Sequence, residues 1–462
     1  EGGYVELTKW AEENGAEGVA NIKISGEKKG EGRRTFARRD IAKGQDILSI
    51  PAELTISVDP DQPDLTYSGA PWNVRLACRL LREMKNSDAS EWAPYIKILP
   101  KVVEAPTTTF EWDDIASIED EGAKERIYNQ NLMASQAFDR VPSEAHSASS
   151  REEFEWALSI ANSRTFRIDS GIRMLVPIVD MANHRGSEAT VSALDPYPGP
   201  ERCNMDWRVD EKGRFVLFAK ENIPKDTELT LTYGPKNNDD FFAFYGFVPK
   251  ANSLDSVSIF PALMDMLQWH RATSASPALP PITYVKALTT SQQYLQETGA
   301  GGLRLYAHGG IDQAMYKALE VVEESAAKSS GGTIRQRIRG VIRRRASELL
   351  QEYSTTILED LSKIIVDDIQ RSKENLQESP ESPNLKALIQ LKVAMRTYKG
   401  DKRWWDPRVE EDAKPPLGAG SDLKPLLVGV EDGLGGLRAS QRLILEYQIS
   451  KKLVLWHFLL TP

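Results

Sequence analysis

Short apolar runs bounded by turn residues mark much of the first half of the chain, and helix-type spacing takes over after about residue 260. Arg34–Pro51 places Phe36, Ala37, Ile41, Ile47, Leu48 and Ile50 around Lys43-Gly44, which predicts two short strands joined by a turn. Trp72–Met84 carries Val74, Leu76, Ala77, Leu80 and Leu81 at helical spacing and opens a helical insertion over about residues 70–165. The insertion continues through Ser90–Pro100, a mixed region to about residue 140 and a Ser/Ala loop at 143–150, and closes with a helix over Arg151–Ser163. Strands are expected again from Met174 to about Pro249, broken by a Pro/Gly turn at Pro196–Pro200 and a hairpin turn at Asp210–Gly213. Beyond Phe260, Ile311–Lys328, Thr333–Gln377, Leu385–Tyr398 and Leu437–Leu460 show helical periodicity, separated by a Ser/Pro linker at 378–383 and a Gly/Pro-rich stretch over 400–436. The expected fold is therefore α+β: a β-rich half over residues 1–255, with its helical insertion, followed by an all-α half over residues 256–462.

Composition narrows the function classes. A chain of 462 residues exceeds the usual growth of a single core, and 40% hydrophobic with 27% charged residues is ordinary for a soluble globular protein. A net charge of −9 argues against a general nucleic-acid binder, whose partner selects for a basic surface, although a local basic patch stays open. Apolar stretches such as Leu453–Leu460 fall short of the roughly 20 residues of a membrane span, so neither a membrane nor a nucleic acid is an expected partner. Cys78 and Cys203 are too few for a disulfide scaffold or a cysteine-rich zinc cluster and suggest a reducing compartment. The five histidines, at 146, 184, 270, 308 and 457, fall in no metal-binding spacing, and no metal is expected. The chain opens on Glu1, so a targeting segment is expected to have been removed or to lie outside the sequence.

The chemistry concentrates in two segments, Val176–His184, which reads V-P-I-V-D-M-A-N-H at the end of an apolar strand, and Glu228–Gly234, which reads E-L-T-L-T-Y-G. By itself a tyrosine closing an apolar strand is a packing residue, and an Asn-His pair is a turn. Together they resemble the paired signature of SET-domain methyltransferases, in particular the subgroup typified by the Rubisco large-subunit lysine methyltransferase. Ser163-Arg164-Thr165-Phe166 resembles that subgroup's Ser-Arg-x-Phe motif, and Glu31-Gly32-Arg33 before Thr35-Phe36-Ala37 its N-terminal loop, with Arg34 where a second glycine is usual.

The resemblance implies small twisted sheets with threaded crossing segments and S-adenosylmethionine as methyl donor, leaving S-adenosylhomocysteine. It implies a catalytic hydroxyl at Tyr233 and cofactor binding by Glu31, Gly32, Arg33, Arg164, Asn183 and His184. Substrate contacts would come from Arg164, Asp180, Tyr233 and Tyr245. Arg167 is a further candidate, and Asp180 reads almost as well as a turn cap. The acceptor would be a lysine of a folded non-histone protein docked by the helical half, on a monomeric enzyme of the plastid, cytoplasm or nucleus. Val179 and Phe166 match the lysine enzymes where a related actin-directed histidine group has Trp and Asn. A catalytically silent binding module and a histidine methyltransferase are the alternatives. The Arg335, Arg339, Arg343 stripe reads as a solvated helix face.

Overall fold

A computed structural model describes residues 2–25, 33–61, 69–103, 107–186, 203–249, 252–274, 279–298, 302–326, 332–357, 359–361, 363–364, 367–368 and 437–460. Glu31, Gly32, the Pro196–Pro200 turn, the Leu385–Tyr398 helix and the linkers at 378–383 and 400–436 lie outside the described residues. Residues 1–115 and 123–253 form one compact unit, and residues 116–122 and 254–462 a second.

The first unit is built from small sheets. β1 (Ile22–Ser25) pairs antiparallel with β2 (Arg34–Ala37). β3 (Asp46–Ile50), β9 (Phe215–Ala219) and β8 (Met205–Val209) form one antiparallel sheet, and β4 (Ile56–Val58), β6 (Arg173–Leu175) and β5 (Thr165–Arg167) another. β7 (Asn183–His184) lies parallel to β10 (Thr230–Leu231). The two strands expected around Lys43-Gly44 are present, but they do not pair with each other. The turn is held by distant chain: Gly44 N donates to the Ala219 carbonyl at 2.8 Å, Lys43 N to Asn222 Oδ1 at 2.9 Å, and Ile41 pairs with Ile223. Alternation fixes which residues face inward, whereas the partner strand is a long-range choice.

The Val176–Ala182 run is not a strand. Val176, Ile178 and Val179 are all buried, and the backbone passes through a turn at Ile178 into a 3-10 turn over Val179–Met181. A short apolar run means burial on every side and carries no period from which to read a strand. An N-terminal helix, Gly2–Glu13, adds Leu7 and Ala11 to the core at i, i+4.

The insertion contributes the helices Trp72–Asn86, Glu121–Arg140 and Arg151–Arg164, the last started by Ser150, whose hydroxyl accepts from Glu153 N at 3.2 Å. The second unit packs Leu263–Thr273, Pro281–Thr298, Gln313–Ala326, Ile334–Glu352 and Ala439–Leu460 around Leu319, Ile338, Ile342 and Leu455. It also holds one antiparallel pair, β11 (Ser256–Phe260) with β12 (Leu303–Tyr306). Among the described residues no helix is long and apolar enough to cross a membrane, and no cluster of three potential metal ligands occurs.

Candidate active site

The two signature segments are fastened side by side. β7 and β10 run parallel with Asn183 opposite Thr230 and His184 opposite Leu231, and Arg185 N extends the ladder to the Leu231 carbonyl at 3.0 Å. Side chains lock the crossing further. Tyr233 N donates to His184 Nδ1 at 3.1 Å, and the Tyr233 hydroxyl donates to the Ala182 carbonyl at 2.9 Å. Because Nδ1 accepts, the proton of the neutral imidazole sits on Nε2. Burial, with a smaller push from the nearby Lys236 charge, lowers His184 to about 4, so the ring is neutral at physiological pH.

Asn183 Nδ2 donates to Glu228 Oε1 at 2.9 Å, which turns its carbonyl oxygen away from that carboxylate. Asn204 braces the same strand: its Nδ2 donates to the Glu228 carbonyl at 2.8 Å and its Oδ1 accepts from Thr230 N at 2.9 Å. Both residues escaped the sequence reading. Glu228 opens the Tyr-Gly segment, but nothing in its spacing marks a long-range partner.

Upstream of Asn183 the backbone is strained. Ile178 holds φ 69° and ψ −45°, near the classic γ-turn region, where a β-branched side chain is rarely found. Two residues later the Asp180 side chain is fully buried. Its Oδ2 accepts from the Tyr95 hydroxyl at 2.9 Å and from Arg164 Nη1 at 3.3 Å, and Arg164 Nη1 also donates to the Asp180 carbonyl at 2.9 Å. Burial pushes the Asp180 carboxyl up, against the pull of Arg164, the Tyr95 hydrogen bond and the more distant Arg33 charge. Two capacities are left over: Asp180 Oδ1 is buried without a hydrogen-bond partner, and the other nitrogens of Arg164 make no hydrogen bond to described residues. Tyr95 is a third residue the sequence did not single out, since a buried tyrosine reads as core.

Tyr245 reaches the same place from a π-helical turn, Phe241–Tyr245, whose extra residue per turn re-aims the side chain. Its ring stacks on Tyr233 with centroids 5.2 Å apart and planes at 26°. Phe241 packs 4.5 Å from the His184 ring, and Phe247 lies across both tyrosines. Burial pushes the Tyr233 phenol up to about 12 and raises Tyr245 as well. Both phenols stay protonated.

Arg164, Asp180, Asn183, His184, Tyr233 and Tyr245 therefore belong to one linked neighbourhood. The Arg33 guanidinium lies 5.9 Å from the Tyr4 ring and its charge acts on both Asp180 and Tyr95, whereas Arg167 is exposed at the end of β5. Val179 is buried and Phe166 packs on Trp207 and Phe215, so both behave as core residues.

Comparison with known proteins agrees with this geometry. The SET domain family model matches residues 32–234. The human actin-histidine N-methyltransferase is 27% identical over 280 residues, covering 55% of this chain and 44% of that protein. The chloroplastic ribulose-1,5 bisphosphate carboxylase/oxygenase large subunit N-methyltransferase of Nicotiana tabacum is 26% identical over 243 residues, covering 50% and 48%. The chain thus spans about half the length of the curated relatives it matches. Among solved structures, the SET domain of LSMT bound to lysine and AdoHcy superposes with a TM-score of 0.57 at 15% identity, over 99% of this chain and 91% of that one. Rubisco LSMT bound to sinefungin and monomethyllysine gives 0.55 at 16%, over 98% and 90%. The parallel β7–β10 crossing and the small sheets around it lie inside the region, residues 32–234, that is similar to the SET domain family.

Proposed function

We propose that this protein is a protein-lysine N-methyltransferase that uses S-adenosylmethionine and acts on a folded, non-histone protein. One observation carries the reading: the Tyr233 hydroxyl sits part-buried at the crossing, bonded to the carbonyl of Ala182 beside Asn183 and His184. That is where methyl donor and acceptor would have to meet.

The residues present fit the cofactor. Arg164 keeps donors for a carboxylate, and the Asn183 carbonyl oxygen, turned from Glu228, suits an ammonium; those are the two ends of an amino-acid ligand. The His184 backbone, Arg33 and the preceding Glu31 and Gly32 complete the proposed cofactor set. Bound there, S-adenosylmethionine would supply an electrophilic methyl on a sulfonium. The chain's own contribution is placement and exclusion of water.

Asp180 Oδ1, a buried acceptor without a partner, suits an approaching lysine ammonium. That ammonium has no lone pair and must release its proton to water before it can attack. Tyr233, protonated up to about pH 12, is no base. Its proton is committed to the Ala182 carbonyl, so its oxygen lone pairs can accept from the amine and hold the nitrogen lone pair in line. Tyr245, stacked on Tyr233, would flank a methylated ammonium. The helical unit is the proposed docking element for the protein substrate, and the enzyme is proposed to act as a monomer.

A histidine acceptor is the second reading, favoured by the actin-histidine relatives. The residue types at Val179 and Phe166 speak for lysine, but their core packing makes them indirect witnesses. Incubation with methyl-labelled S-adenosylmethionine and a cell extract tests the proposal. Discrete labelled bands, with mass spectrometry placing the methyl on lysine, are expected; label on histidine would establish the second reading. S-adenosylhomocysteine binding by calorimetry with no labelled band would leave a silent binding module.

A further inference from the structure

Lys236 follows Tyr233 by three residues and folds back on it. Its ammonium donates to the Tyr233 carbonyl at 2.7 Å and lies 5.7 Å from the centroid of the Tyr245 ring. The intervening Gly234 has φ 99°, and a Cβ there would come within 3.2 Å of Lys236 Nζ, so the glycine serves both the turn and the close approach. Asn252 fixes the segment by donating from Nδ2 to the Lys236 carbonyl at 2.8 Å.

This cation has no carboxylate within ion-pair distance among the described residues. Asp240, the acidic group that acts on it, is paired with Arg126 at 2.6 Å, while Arg173 adds a like charge. Burial and Arg173 lower the proton affinity of Lys236, and Asp240 opposes them. A half-buried ammonium held by a carbonyl and a ring face but by no carboxylate among the described residues costs stability, and a neutral side chain could make the same backbone hydrogen bond more cheaply. The charge itself is then the feature to explain. His184, on the facing strand, already feels it. The other charged or titratable groups around the crossing are Glu228 and Arg185 on the paired segments themselves, with Arg164, Asp180, Tyr95, Tyr233 and Tyr245 beside them.

We propose that Lys236 is a positioning residue whose fixed positive charge favours the neutral, reactive form of the acceptor amine, an inference that rests on the methyltransferase reading above. A like charge in a poorly screened site disfavours a second ammonium, and only the neutral amine has the lone pair that attacks. Lys236 thereby works alongside the sulfonium of the cofactor, and it does so through space rather than by touching the acceptor.

Two variants separate charge from scaffolding: Lys236→Gln keeps a donor for the Tyr233 carbonyl without the charge, and Lys236→Arg keeps both. The first readout needs no activity. In a side-chain NMR titration, Lys236→Gln should raise the pH at which His184 protonates by about 0.5 units or more, and Lys236→Arg should leave it nearly in place. The second readout is the pH dependence of the initial rate of label transfer into one extract band. Lys236→Gln should move the acid limb to higher pH by about the same amount, and Lys236→Arg should not. An unmoved His184 titration, an unmoved limb, or equal movement in both variants overturns the inference while the wild type still labels its target. If the wild type labels no band, it is the methyltransferase reading that has failed, and the inference falls with it.

Discussion

Two ion pairs, one taken from each unit, are finished in opposite ways. In the helical unit, Lys452 Nζ spends its three protons on Asp360 Oδ2 at 2.6 Å, the Thr355 carbonyl at 2.8 Å and Thr355 Oγ1 at 3.0 Å. The second Asp360 oxygen accepts from the Thr355 hydroxyl at 2.6 Å. That network is closed. In the first unit, Arg164 and Asp180 are equally tied to each other, yet one carboxylate oxygen and part of the guanidinium find no hydrogen-bond partner among the described residues. The Lys452–Asp360 network is satisfied within the fold, whereas the Arg164–Asp180 pair is left incomplete beside the strained Ile178 backbone, as the proposed ligand site requires.

The difference can be pressed from both sides. Asp360→Ala should have the largest effect on stability, about 3–5 kcal/mol by urea denaturation, because it strands a buried ammonium. A loss below about 1 kcal/mol would mean that the closed pair holds little. Arg164→Lys keeps the charge but removes the planar fork; S-adenosylhomocysteine affinity measured by calorimetry should fall about 10-fold, with little change in stability. A variant that still folds but loses several kcal/mol of stability while its affinity is unaltered would erase the contrast between the two pairs.

Acid reaches the crossing through His184. His184 protonates at about 4 in the folded chain and near 6.5 when unfolded, so between those values the unfolded state binds the extra proton. Its contribution to stability is complete above about pH 6.5 and is lost as pH falls toward 4. Melting temperatures of the wild type should therefore drop more steeply over that window than those of His184→Gln. Parallel curves would show that the ring is not held neutral.

What the sequence disclosed follows the same division. Asn183, His184, Tyr233, Arg164 and Tyr245 were legible because their residue types and their order along the chain form a resemblance, and the structure links them in one neighbourhood. The groups that brace them were not. Glu228 finds Asn183, and Tyr95 finds Asp180, across long stretches of chain, and neither contact leaves a local period to read. Lys43-Gly44 predicted its flanking strands but not their partners, which come from β1 and β9. The apolar run before Asn183 suggested a strand and proved to be a turn, because complete burial erases the alternation that distinguishes the two.

The most direct test is Tyr233→Phe, which removes one oxygen atom from the crossing and leaves the ring stack with Tyr245. Single-turnover methyl transfer from labelled S-adenosylmethionine should slow by about 100-fold or more, at the scale of a lost oriented polar group in a transition state. S-adenosylhomocysteine affinity, measured in parallel, should stay within about 2-fold, a difference of only a few tenths of a kcal/mol. A variant that transfers methyl at the wild-type rate would contradict the role given to the hydroxyl and, with it, the account of the site.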